Sequence, residues 1–121
     1  MTDIAFSSLS QSIVVIRNAD GLFSCSGEYK GIPIEVAFPI CDGTRCIVLL
    51  DYDLSRSSVF ENLTCIDRED NLVWKACLPA GPDCFVSARP DPRGVRAITW
   101  SGFSLILDRN TGAELARVFV K

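Results

Sequence analysis

The chain has 121 residues, 48% hydrophobic and 22% charged, with twelve basic against fifteen acidic side chains and a net charge of −3. This is the composition of one globular domain able to bury a core, not of a disordered segment. Weak acidity without clustered Lys and Arg argues against a nucleic-acid partner, and no apolar run approaches the roughly 20 residues of a membrane helix.

The first eight residues lack a basic start and a sustained apolar stretch, so they do not read as a secretory signal, and the expected location is the cytoplasm. Residues 3–11 predict no element. Ser12 to Arg17 is β-branched and predicts a strand; Asn18-Ala19-Asp20-Gly21 predicts a turn, because Asp-Gly supplies positive φ; Leu22 to Ser26 is the return strand. Ile32 to Phe38 follows, with Pro33 marking a strand start or an edge. A second Asp-Gly turn, Cys41 to Cys46, leads into Ile47-Val48-Leu49-Leu50. That run is apolar on both faces and predicts a central strand covered from two sides.

Asp51 to Glu61 breaks the rhythm with acids, serines, an arginine and aromatics, and predicts the longest loop. Long loops in compact domains tend to carry function. Beyond it the chain predicts a meander: Asn62 to Asp67, Leu72 to Leu78, Cys84 to Arg89, Val95 to Trp100, Phe103 to Leu107 and Ala113 to Val120. The fold class is therefore all-β, an antiparallel meander of about ten short strands in one domain over 1–121.

Within the meander one pattern occurs twice, an apolar strand, an aspartate, a polar turn and a second apolar strand. Asp67 and Asp108 anchor the copies, 41 residues apart, the length of a propeller blade. A fainter third copy aligns Ile16 on Ile66, Asp20 on Asp70 and Gly21 on Asn71 at an offset of 50. The pattern resembles the blades of pyrroloquinoline-quinone-type β-propellers. Leu63, Ile66, Asp67, Leu72 and Trp74 match in the first copy, and Leu107, Asp108, Thr111, Gly112 and Leu115 in the second, with Leu115 in place of tryptophan. The resemblance implies blade-like hairpins and carries no quinone ligand. Closure takes at least four blades, and this chain has room for three, so the expectation is a small sandwich or half-open barrel.

No histidine is present. This removes the commonest general base and the Ser-His and Cys-His pairs, and no catalytic residue is assigned. The six cysteines sit mainly in apolar strands and, in a reducing compartment, act as small hydrophobes. Cys41, Cys46, Cys77 and Cys84 are spaced too loosely for a four-thiolate zinc site. The acids of the Asp67 to Asn71 turn are expected to cap backbone amides rather than hold calcium. No metal or cofactor is assigned.

A small acidic β scaffold without a catalytic set reads as a non-catalytic protein-binding domain. Asp51, Tyr52, Asp53, Arg56, Phe60 and Glu61 are the candidate contact residues, since aromatics and arginine anchor interfaces. In size, acidity and want of catalytic groups the chain is similar to small bacterial immunity proteins, which implies a basic toxin or nuclease as the partner. The alternative is a blade-like unit that binds a small molecule or sugar in an oligomeric assembly; a monomer or small homo-oligomer is expected.

Overall fold

The computed structural model describes residues 3–51, 59–79 and 83–120. Twelve strands run through them: β1 (Asp3–Ser7), β2 (Ile13–Arg17), β3 (Phe23–Tyr29), β4 (Ile32–Ile40), β5 (Arg45–Leu50), β6 (Val59–Phe60), β7 (Leu63–Asp67), β8 (Leu72–Lys75), β9 (Asp83–Asp91), β10 (Gly94–Thr99), β11 (Phe103–Leu107) and β12 (Glu114–Phe119). The fold is all-β. The two strands beyond the expected ten are β1, in a stretch that gave no sequence signal, and β6, inside the expected loop.

Seven strands form one sheet in the order β1-β2-β3-β4-β5-β7-β8, and five form another in the order β12-β11-β10-β9-β6. The larger sheet is two blades joined at a weak seam, because β3 and β4 share only the pairs Glu28–Pro33 and Tyr29–Ile32. Past that seam β1 and β2 lie over the face of β4, β5 and β7. The chain is thus three stacked blades, β1 to β3, then β4-β5-β7-β8, then β9 to β12. All pairs are antiparallel except β6 with β9.

Alternation along β5 explains the stack. Successive side chains point to opposite faces, so Val48 and Leu50 join Phe6, Ile13, Val15, Ala37 and Ile66 in a core against the first blade. Ile47 and Leu49 join Phe38, Leu63, Trp74, Phe85, Val95, Leu105 and Leu107 in a core against the third. The expected strand with two covered faces is the middle of the molecule.

Asn62 fastens the third blade. It is fully buried; its Nδ2 donates to Leu50 O at 2.9 Å and Phe85 O at 2.8 Å, while Oδ1 accepts from Phe85 N at 2.8 Å. The side-chain amide pairs with Phe85 as a neighbouring strand would, which satisfies groups that would be costly to bury alone. Trp74 fastens the far end. Its Nε1 donates to Arg109 O at 3.0 Å, and its ring lies under the β11–β12 turn, where a Cβ on Gly112 (φ +76) would stand 2.5 Å from Cε3.

The three hairpin turns share one hydrogen-bond pattern, the third being one residue longer. Asn18, Asp67 and Asp108 each donate their N–H across the turn, to Leu22, Asn71 and Ala113, and accept at the carbonyl from Gly21, Asp70 and Gly112. Gly21, Asp70 and Gly112, the donors to those carbonyls, all hold positive φ. Gly21 therefore matches Asp70, not Asn71, and Asn18 occupies the aspartate position. The offset is 49, one less than the sequence alignment.

Asn62→Ala removes three buried hydrogen bonds and strands their backbone partners, and is expected to cost about 3 kcal/mol or more in urea unfolding. Gly112→Ala meets the Trp74 ring and an unfavourable φ together; the same measurement is expected to show a loss of about 2 kcal/mol.

Candidate functional site

The predicted contact loop is anchored but only partly described. At its start, Asp51 N donates to Pro33 O at 3.0 Å, and Leu50 N reaches across to Asn62 O at 2.9 Å, so the two ends of the loop are held together. Asp51 and Glu61 are half-buried at these ends. Phe60 lies on β6, paired with Cys84, rather than in a free loop. Tyr52, Asp53 and Arg56 lie outside the described residues.

The structure presents a second surface, the outward face of the third blade. The second and third blades correspond strand for strand in order and pairing, which lets each position be compared with its counterpart. In the second blade Phe38 faces Ile47 across β4 and β5, and Ile47 faces Cys65 across β5 and β7. In the third, Arg89 faces Arg96 across β9 and β10, and Arg96 faces Ile106 across β10 and β11. The second blade's face is buried against the third; the third blade's equivalent face has no blade upon it among the described residues.

The chemistry of the two faces differs accordingly. Arg89 and Arg96 replace Phe38 and Ile47, and Ser104 replaces Leu63, while Ile98 and Ile106 keep the apolar character of Leu49 and Cys65. Ala116 pairs with Ile106 as Trp74 pairs with Cys65. The position equivalent to Trp74 is thus Ala116, and Leu115, given that place in the sequence, falls in an irregularity of the ladder. A shallow cavity of about 180 Å³ lies on this face beside Arg96, Ser104, Ile106 and Val118. Val118 and Val120 are 60% and 58% exposed. The sequence did hold a signal for the arginine face, since Ala37-Phe38-Pro39 returns as Ala88-Arg89-Pro90.

Asp91 stands beside the arginines, its Oδ2 3.5 Å from Arg96 and its Oδ1 3.3 Å from Arg93. The Arg93 amide, first, and then the two guanidiniums hold its carboxyl below the ordinary aspartate range. The other acids singled out from the sequence serve turns. Asp67 Oδ1 accepts from Glu69 N and Asn71 N, both at 2.9 Å, and Asp108 Oδ1 from Asn110 N at 2.7 Å and Thr111 N at 3.1 Å. Trp100 is 63% exposed at the β10–β11 turn.

The six thiols are free. Burial raises the Cys46 thiol and pushes Cys65 up to about 12, which keeps both protonated and unreactive. Among the described residues no three His, Cys, Asp or Glu side chains converge in a group that could hold a metal ion.

Asp83, nearly buried at the start of β9, ties that strand to the β10–β11 turn. Its Oδ1 accepts from Cys84 N at 2.9 Å and Ser101 N at 3.1 Å, and its Oδ2 from Ser101 Oγ at 2.5 Å. Burial raises the pKa of this carboxyl, but the bonds from Ser101, Cys84 and Thr99 together outweigh it and leave the value lowered.

No family model matches the chain, and no curated protein matches it. Among solved structures it is similar to BamB from Moraxella catarrhalis, with a TM-score of 0.51 at 16% identity over 100% of this chain. The likeness is one of fold. It agrees with the blade-like hairpins read from the sequence, BamB being a repeat protein of the β-propeller type. The chain spans 38% of that protein's length.

A carboxyl whose folded pKa lies below its unfolded value contributes stability above the unfolded value, and loses that contribution as pH falls through the folded one. Ser101→Ala is expected to lower stability by about 1 kcal/mol at neutral pH. The deficit should shrink as pH falls through the unfolded aspartate range of about 3.9 and on through Asp83's lower folded value, below which the carboxyl is protonated in both states. Urea unfolding at a series of pH values reads this; a deficit constant with pH would unlink Asp83 from acid stability.

Proposed function

We propose that the chain is a non-catalytic protein-binding domain. The observation that carries this reading is the uncovered outward face of the third blade. Sheet faces of this kind bury each other elsewhere in the same chain, and here Val118, Val120 and Arg89 meet solvent beside a half-buried Arg96. Arginine and exposed apolar groups in a contiguous surface are the composition of an interface. The assigned roles of the acids are consistent with it, since Asp67, Asp83, Asp91 and Asp108 are all engaged in hydrogen bonds or ion pairs within the fold.

The finer form of the proposal is an immunity-type inhibitor that neutralises a basic toxin or nuclease in the cytoplasm. A net charge of −3 favours encounter with a basic protein at long range, and the sequence from Asp51 to Glu61 is rich in acidic and aromatic residues. A second reading, a small-molecule or sugar-binding unit, draws on a cavity of about 470 Å³ between the first and second blades, walled by Arg17, Phe23, Asp42 and Arg68.

The tagged chain used as bait at several salt concentrations is expected to retain a stable protein partner, more of it at low salt. Recovery of none at any salt would remove the protein-binding reading and favour the cavity.

A further inference from the structure

We propose that Arg89 and Arg96 form a carboxylate clamp that receives acidic side chains of a partner segment laid across the third blade's outward face. The proposal rests on the protein-binding reading and names the chemistry of the contact. Arg89 and Arg96 are direct cross-strand partners. Like charges in that relation destabilise a sheet, and Asp91 offsets only one of the two, through Arg96. Arg89 is exposed, with no carboxylate partner among the described residues.

The same pair in the second blade, Phe38 with Ile47, is apolar and covered. A face meant for another blade of this kind would keep that pair and a tryptophan at the Ala116 position. It has lost both. What remains is an arginine pair beside half-buried Ile98 and Ser104, with Val118 and Val120 exposed on the same face and Ile106 buried beneath it. Planar guanidinium forks bind carboxylates bidentately, and the apolar side chains beside them suit the aliphatic stems and neighbours of an extended acidic strand. A partner with net positive charge can still present such a segment, because the clamp reads the contact and not the total charge.

The test uses the whole chain, labelled with nitrogen-15, and two octapeptides that alternate valine with glutamate or valine with lysine. The valine–glutamate peptide is expected to shift amide resonances of β9, β10 and β11, and the lysine peptide to leave them unmoved. The double variant Arg89→Glu, Arg96→Glu is expected to weaken glutamate-peptide binding at least tenfold. The milder pair Arg89→Ala, Arg96→Ala should bind weakly while melting at the same or a higher temperature, because the like-charge pair is gone. Equal binding of both peptides, or shifts confined to other blades, overturns the clamp. So does sedimentation that shows self-association lost in the same variants, which would give the face to a second copy of the chain. A partner captured by the bait that binds the charge-reversed variant as tightly as the parent overturns the clamp and leaves the protein-binding reading standing.

Discussion

Burial of β5 on both faces is the constraint on which the rest of the structure depends. Cys46, Ile47, Val48, Leu49 and Leu50 are all buried, and a strand with no polar side must have a sheet above and below it. The first blade covers Val48 and Leu50, and the third covers Ile47 and Leu49. Removal of either would expose one side of the same strand, so the outer blades are coupled through the middle one. This is the nearest-neighbour logic of repeat proteins compressed into three units.

Apolar contact does not fix how two flat sheets are rotated on each other, and polar groups at the ends of the strands supply that information. Asn62 imitates a strand at the base of the loop, and Trp74 reaches the turn of the next blade. Asp83 draws the β10–β11 turn onto β9. Each is buried or nearly so, and each is fully engaged, as buried polar groups must be. These are also the places where the chain departs from simple alternation.

The fold class, the doubly covered strand and the turn aspartates were legible because they depend on local chemistry. Period-two patterning announces a strand, and an aspartate before a short polar turn announces a cap. β1 was not legible, since Asp3 to Ser7 has no repeated pattern and Phe6 alone goes deep into the core. The turn register was missed by one residue because Asp70, rather than a glycine or Asn71, holds the left-handed conformation. The arginine face was legible only in part, in the return of Ala37-Phe38-Pro39 as Ala88-Arg89-Pro90. Which side of β9 and β10 meets solvent follows from the stacking of blades, and stacking is a property of pairs of sheets that no single strand encodes.

The two outer surfaces of the stack are chemically unlike. On the first blade Ile4, Val14 and Ile16 alternate with Ser7, Ser24 and Ser26, and carry no charge on those positions. On the third blade the arginine pair stands where the core of the preceding interface would be. Charges at the centre of a sheet face oppose docking of an apolar sheet, because two guanidiniums would lose water with one carboxylate between them. They also raise the selectivity of that face, since a contact is favourable only if it returns carboxylates to the same positions. The substitution that ends one kind of stacking is therefore the one that specifies another kind of contact, and it does so on a scaffold already made rigid by the covered strand beneath.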